Sequence, residues 1–267
     1  MPQVSVIMSV YNAQSEEILR TAIESICSQT FLDFEFIICD DGSTDDTWEK
    51  LQKIAATDSR IQLIHNKENR KAGYARNCCI RQASGNYIAV MDADDISMPD
   101  RLEKQIGFLN EHLEYAMVGC NLLLINDKGI WGKRILVKEP TKKSFLFTSP
   151  YCHPAIVMRK EVLDKVNNYK VEKITRRAED YDLFMRIYAN GYKGYNMQEF
   201  LYQFREDNDA YKRRAYKYRW DEVQVRYRGF KALDLMPNGL IYVIKPLIVG
   251  LIPQKILVKL RKMRQEK

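Results

Sequence analysis

Tyr87-Ile88-Ala89-Val90-Met91-Asp92-Ala93-Asp94-Asp95 passes from five apolar residues straight into a turn with three carboxylates. A short apolar run closed by polar residues reads as a buried strand, which places the acids at its carboxyl end. The same pattern appears twice upstream. Val4-Ser5-Val6-Ile7-Met8-Ser9-Val10 is followed by Tyr11-Asn12, and Phe34 to Cys39 by Asp40-Asp41-Gly42-Ser43-Thr44-Asp45-Asp46. Between them, residues 15–29 carry Ile18, Leu19, Ala22, Ile23 and Ile26 at helical spacing. A second helix is predicted over 45–57, capped by Ser43 or Thr44 with acids in its first turn. Ile61 to His65 is a short strand; a polar loop holding Gly73 and a helix from about Tyr74 follow. Strands alternating with helices predict an α/β fold with a mostly parallel sheet. Ligands of such sheets bind beyond the carboxyl ends of the strands. Ser9/Tyr11/Asn12, Asp40/Asp41 and Asp92/Asp94/Asp95 are therefore expected on one rim.

Beyond residue 100 the alternation weakens. A helix is predicted over 100–113, a strand over 116–125, a turn at Asn126-Asp127-Lys128-Gly129 and a hairpin partner over 130–138. Ala155 to Met158 is short and apolar, and 179–189 is amphipathic, with Tyr181, Phe184, Met185 and Tyr188 near one face. No internal repeat or low-complexity linker interrupts the chain. Composition changes near residue 205, where Lys, Arg and Tyr take over.

The 267 residues are enough for one large domain or up to two ordinary ones, with a sizeable core. With 46% apolar and 29% charged residues, disorder, collagen and a disulfide mini-scaffold are excluded. The N-terminus has no signal-peptide pattern, and no apolar run reaches the ~20 residues of a membrane span. The six cysteines lack CxxC spacing and read as reduced thiols of a cytoplasmic protein. There is no GxSxG, Walker A or GxGxxG, which leaves a serine hydrolase, a P-loop NTPase and a dinucleotide oxidoreductase without support.

Each polar constellation has a chemical and a bland reading. Carboxylates at 92 and 94 suit a hard cation such as Mn²⁺ or Mg²⁺, which takes oxygen ligands and substrate phosphates; alone they would be a solvated turn. Asp40-Asp41-Gly42 supplies more acids than a helix cap needs, and a carboxylate there can accept the imide N–H of a pyrimidine. Lys71, Gly73 and Arg76 suit a diphosphate at a helix N-terminus, or form a solvated basic loop. Arg176-Arg177-Ala178-Glu179-Asp180 is either a salt-bridged helix start or a carboxylate base aimed into the crevice. His153, held before Pro154 in extended backbone, could face the metal or the acceptor. His65 and His112 attract no functional reading.

Taken together, residues 4–12, Ser28-Gln29-Thr30, Asp40 to Asp45, Arg76-Asn77, Asp92 to Asp95 and Glu179-Asp180 resemble family 2 glycosyltransferases of the GT-A fold, over residues 3–204. The stretch from Arg205 to Arg214 is similar to Gram-positive exopolysaccharide, or biofilm-matrix, members. The resemblance implies an inverting hexosyl transfer from a nucleoside diphosphate sugar, with a UDP-sugar expected. It implies that Tyr11 stacks on the base and Asp41 binds its N3. Asp92 would contact ribose or sugar, Asp94 would hold Mn²⁺ or Mg²⁺ against the diphosphate, and Asp180 would deprotonate the acceptor. The donor-binding candidates are Ser9, Tyr11, Asn12, Asp41, Gly42, Lys71, Arg76 and Asp92; His153 and Glu179 are accessory candidates.

Residues 1–204 read as the catalytic domain, with a nucleotide-binding half to residue 100 and an acceptor half after it. Residues 205–267 read as a basic, mainly helical extension, with 16 Lys/Arg against 7 Asp/Glu. Residues 239–253 are apolar, broken by Pro246 and too short to span; Lys255, Lys259, Arg261, Lys262, Arg264 and Lys267 follow. An apolar segment beside a cationic one suits interfacial attachment to anionic lipid; the bland reading is a packed terminal helix. The expectation is a peripheral protein at the inner face of the cell membrane, acting on a glycan or polyprenyl-diphosphate-linked acceptor. A catalytically idle binding protein is one alternative. A nucleic-acid binder using the Tyr- and Arg-rich stretch 211–228 is another, but it leaves the acidic clusters unexplained, and nucleic acid is not an expected partner.

Overall fold

The structure, a computed structural model, describes residues 1–206 and 216–251. Much of the basic stretch 205–214, and the cations from Lys255 onward, lie outside the described residues.

Four parallel strands form the first half of the sheet, in the order β3-β2-β1-β4: β1 (Val4–Val10), β2 (Phe34–Asp40), β3 (Ile61–His65) and β4 (Tyr87–Asp92). Alternate side chains enter opposite layers, as strand geometry requires. Ile7, Ile37, Cys39, Ile88 and Val90 pack under α3 (Ala72–Gln82). Val6, Met8, Phe36, Ile38 and Met91 pack with Leu19, Ile23 and Ile26 of α1 (Glu16–Cys27) and Leu51 and Ile54 of α2 (Thr47–Ala55). Burial on both faces explains why these strands read as near-continuous apolar runs.

The sheet continues β4-β8-β6-β9-β5 to nine strands. These are β5 (Ile96–Ser97), β6 (Met117–Asn126), β7 (Gly129–Arg134, paired to β6), β8 (Val157–Arg159) and β9 (Gly194–Arg205). β8 is antiparallel to β4 and β6, whereas β6 and β9 are parallel. α4 (Arg101–Glu111) and α5 (Lys160–Lys165) flank this half, and α6 (Glu179–Ala189) lies in the same layer as α3.

Several expectations need correction. The predicted 45–57 helix starts at Thr47, and neither Ser43 nor Thr44 caps it; both instead serve the neighbouring loop described below. α3 begins at Ala72, so Gly73 lies in its first turn rather than in the preceding loop. Pairing of the 130–138 segment stops at Arg134. His153 opens a short 3-10 turn, His153–Ala155, rather than standing in extended chain. β9 was not anticipated at all.

After residue 215 the chain packs back onto the body. α7 (Lys217–Ala232) places Val225 and Phe230 in the core beside Phe184 and Met185. Two of the arginines in the 211–228 stretch serve the protein's own groups. Arg228 pairs with Asp182 at 2.7 Å and with Glu172 at 2.8 Å. The buried Arg226 donates to the Leu146 carbonyl at 3.1 Å and stacks over Tyr181. α8 (Leu240–Gly250) contains Pro246 and buries Val243 and Pro246. Leu240, Ile241, Ile244 and Ile248 remain exposed. Among the described residues, no helix is long and apolar enough to cross a membrane.

Candidate active site

The strand order gathers the three predicted clusters on one rim. Ser9 lies opposite both Cys39 and Asp92 across the sheet, and Val10 lies opposite Asp40. The β1 and β2 ends are tied side by side. The Asn12 N–H donates to Ser43 Oγ at 2.9 Å, and Thr44 N–H donates to Asn12 Oδ1 at 2.9 Å. Asn12 adopts a positive φ of 45° to make this bridge, a conformation asparagine tolerates better than most residues. Its side chain is thus a loop tie, which leaves the neighbouring Tyr11 ring half exposed at the rim.

The Asp40-Asp41 pair is built inward. Asp40 is fully buried; it accepts from Ser43 and pairs with His65 Nδ1 at 2.8 Å, giving His65 a structural part that the sequence did not suggest. Asp41 is buried too, and accepts from Arg70 N–H at 3.1 Å and Asn66 Nδ2 at 3.0 Å. Gly42 has φ 69°, and a Cβ on it would lie 2.5 Å from the Glu68 carbonyl carbon. These contacts hold the 66–70 loop against the β2 end. They carry Lys71, which has φ 75° and is exposed, to the start of α3.

Arg76 is the largest departure from expectation. It is buried rather than presented to a diphosphate. Its guanidinium donates to Asp92 Oδ1 at 2.9 Å and to Glu179 Oε1 at 3.1 Å. One planar fork therefore joins the end of β4 to the start of α6. Asn77, its neighbour, makes a reciprocal pair with the Tyr169 backbone at 2.8 and 3.1 Å. The Tyr169 hydroxyl in turn meets His153 Nε2 at 2.7 Å. His153 is buried and held neutral, its pKa pushed well down by burial and by the charge of Arg76. It buttresses the site rather than facing an open crevice.

At the N-terminus of α6, Glu179 is raised to about 7 by burial, against the opposing pull of Arg76. Asp180 is raised by burial as well. Its Oδ1 accepts the Tyr181 N–H at 2.7 Å. Among the described residues Arg176 and Arg177 form no salt bridge of the kind the bland reading expects. Arg176 donates to the Lys173 carbonyl, and Arg177 lies over Tyr218. Asp182, two residues on, is buried between Arg186 and Arg228 at 2.7 Å each, which commits its carboxylate to those two cations.

The 92–95 turn is braced from β9. Asp92 N–H donates to Tyr202 Oη at 3.4 Å; Arg205 N–H donates to Asp95 Oδ1 at 2.7 Å, and Arg205 Nε donates to the Asp94 carbonyl at 3.0 Å. Sequence reading missed Tyr202 and Arg205. The alternation Phe200, Tyr202, Phe204 was the signal that could have found the strand carrying them. Asp95 is buried with Oδ2 unpartnered among the described residues, and its pKa is pushed well up by burial and by Asp94 and Asp92. This crowding of carboxylates, without a thiolate or imidazole at the turn, fits a hard divalent cation. Among the described residues no three His, Cys, Asp or Glu side chains form an all-protein cage. The fit is to an ion that completes its shell with phosphate and water oxygens.

The family description Glycosyl transferase family 2 matches residues 5–167. The chain is 42% identical over 264 residues to EpsE of Bacillus subtilis (strain 168), a glycosyltransferase by name, covering 98% of this chain and 94% of that one. It is 34% identical over 196 residues to WfaP of Escherichia coli, named a UDP-Glc:alpha-D-GlcNAc-diphosphoundecaprenol beta-1,3-glucosyltransferase, covering 73% and 74%. Among solved structures, a mannosyltransferase of Pyrobaculum calidifontis in complex with GDP-Man and Mn²⁺ superposes with a TM-score of 0.65 at 18% identity, covering 97% of this chain and 79% of that one. At that identity the likeness speaks for the fold, which is the GT-A arrangement.

Proposed function

The chain belongs to glycosyl transferase family 2, and from that premise we propose an inverting, metal-dependent hexosyl transfer from a UDP-sugar to a glycan or polyprenyl-diphosphate-linked acceptor in surface polysaccharide synthesis. The observation that carries the reading is the Arg76 bridge. It sets Asp92, at the donor rim, and Glu179, beside Asp180, on one guanidinium. A donor carboxylate and a base candidate are thereby held in one rigid frame.

The chemistry follows from that frame. Tyr11 offers a half-exposed ring to stack on the base of the nucleotide. Asp41, already accepting two N–H groups, keeps carboxylate lone pairs for the imide N–H. Ser9, Gly42 and Lys71 border the same rim. Asp94 would hold Mn²⁺ or Mg²⁺, which when bound neutralises the charge developing on the departing diphosphate, and Asp92 would contact the ribose or sugar. Asp180 takes the proton of the acceptor hydroxyl as its oxygen attacks the anomeric carbon opposite the bond to the diphosphate. A single displacement of this kind inverts the anomeric centre and needs no protein nucleophile. Burial raises the pKa of Asp180, which strengthens it as a base.

Residues 1–204 would then form the catalytic body, and the chain from 205 a membrane-associating extension at the cytoplasmic face. The exposed apolar side of α8, just ahead of the basic terminus, supports interfacial attachment. The test is a screen of UDP-sugars for turnover with and without Mn²⁺, alongside Asp94→Ala. Turnover should require the ion, and Asp94→Ala should abolish it and weaken UDP binding in Mn²⁺. Equal UDP affinity with and without metal, by calorimetry, would remove Asp94 from this role.

A further inference from the structure

A cavity of about 370 Å³ opens beside Glu179, between the start of α3 and the loop 170–176. Five cations line it: Arg70, Lys71, Lys170, Lys173 and Arg176. Its two acids are each paired with an arginine that does not line the cavity, Glu172 with Arg228 at 2.8 Å and Glu179 with Arg76 at 3.1 Å. Among the described residues none of the five cations has a carboxylate partner, so the cavity carries an unbalanced positive charge. The loop is compact rather than loose. The buried Thr175 hydroxyl donates to the Lys170 carbonyl at 2.7 Å and accepts from Glu172 N–H at 3.1 Å. Arg176 Nε closes on the Lys173 carbonyl at 3.0 Å. On the facing wall Arg70 lies over the Tyr74 ring, 3.8 Å from its centroid.

We propose that this cavity binds the diphosphate of a lipid-linked acceptor, with Lys170, Lys173 and Arg176 as the recognising groups. The proposal rests on the glycosyltransferase reading above and names the acceptor chemistry within it. Ammonium and guanidinium groups converging on a half-enclosed pocket suit phosphate oxygens. The size is at the small end of ligand sites, about 300–1,000 Å³. Placement selects the acceptor over the donor. The 170–176 loop leads directly into α6, and the cavity wall includes the residue before Asp180. An acceptor sugar whose hydroxyl reaches Asp180 would carry its own diphosphate away from the reacting hydroxyl, and the cavity beside Glu179 offers that diphosphate cations. The carboxylates proposed to hold the donor, Asp41, Asp92 and Asp94, do not line the cavity, and neither does Asp180; Lys71 of the donor rim does, so the cavity adjoins the donor site there.

A donor diphosphate has the same chemistry, so the test must separate the two. Geranyl diphosphate serves as the probe, titrated into the full chain presaturated with UDP and Mn²⁺. The variant is the triple Lys170→Ala, Lys173→Ala, Arg176→Ala, whose side chains make no ion pair among the described residues. The probe should bind the UDP-loaded wild type, and the variant should bind it at least about tenfold more weakly, with UDP affinity unchanged within about twofold. Binding to the wild type should also weaken with added salt. The proposal is overturned if UDP-loaded protein does not bind the probe. It is equally overturned if probe and UDP compete, or if the variant loses UDP rather than the probe, since the cavity is then the donor's. Failure of the underlying reading has a separate signature: no UDP binding and no sugar-nucleotide turnover in the wild type.

Discussion

Asp180 and Arg76 stand for two different ways in which a single residue matters here. If Asp180 is the base, its loss is felt in the transition state. Asp180→Asn should lower kcat at least about a hundredfold while UDP-sugar affinity stays nearly constant. Near-normal turnover with a lowered melting temperature would leave Glu179 as the base to test. The pH profile offers a second check. Burial raises the pKa of Asp180 above its ordinary 3.8, and the base must be ionised, so activity should fall on acidification at a higher pH than an ordinary carboxylate would give. Arg76 acts through others. Arg76→Ala leaves Asp92 and Glu179 without their shared cation, and breaking a buried pair is expected to lower stability by about 3–5 kcal/mol. Arg76→Lys should recover little, because an ammonium cannot serve two carboxylates as a planar fork does. Urea titration of both variants measures this; full recovery by lysine would mean that charge alone matters at this position. The Asp-Asp-Gly motif teaches a related lesson. Its spacing announced a site, but Asp41 and Gly42 are committed first to the 66–70 loop and Asp40 to His65, through contacts no local pattern displays.

At the scale of elements, α8 is the one whose surroundings are least accounted for by the body. Its apolar residues divide, with Val243 and Pro246 facing α7 and the core while Ile241, Ile244 and Ile248 face outward. If this side enters the interface of a bilayer, replacing Ile241, Ile244 and Ile248 with Asn should release the protein from anionic liposomes in sedimentation assays. Added salt should release the unaltered chain only in part, because screening reaches the cations and not the apolar contact. Equal partitioning of variant and wild type would make α8 a packed terminal helix. β9 makes the opposite point about legibility. Its outer pairing to β5 and its bulged pairing to β6 let charged and apolar residues mix along it, so the strand lacks the near-continuous apolar run that marked β1, β2 and β4. Yet it is the element that braces the 92–95 turn.

The whole molecule is held at the end of the sheet remote from the site by a buried carboxylate. Glu35 accepts from Ser5 Oγ at 2.6 Å, Gln62 Nε2 at 2.8 Å and Ser84 N–H at 2.7 Å, so β1, β2, β3 and the approach to β4 meet on one side chain. Burial opposes its ionisation, but these donors prevail and hold its pKa below the ordinary 4.5. Asp58, paired with Arg60, is lowered to about 2. A depressed folded-state pKa contributes stability that is present above the unfolded value and lost as pH falls through the folded one. Melting temperature should therefore decline below about pH 4. Glu35→Gln should lower stability by about 1–3 kcal/mol at pH 7, with the gap to wild type narrowing in acid; a gap unchanged at pH 3 would remove ionisation of Glu35 from the account. The sequence alone determined the alternation of strands and helices, the parallel half of the sheet and the motifs at its strand ends, because each is written in contiguous residues with a two- or 3.6-residue period. Tertiary structure decided what those motifs do to one another. Arg76 meets Asp92 from 16 residues away and Glu179 from 103, and only the packing of α3 over β1 and β2, with β4 beside β1 and α6 in the same layer, brings a guanidinium within reach of both. The cation-lined cavity beside them was equally out of reach, since its walls come from two segments about a hundred residues apart, and a local pattern carries no information about which distant backbone will close over it.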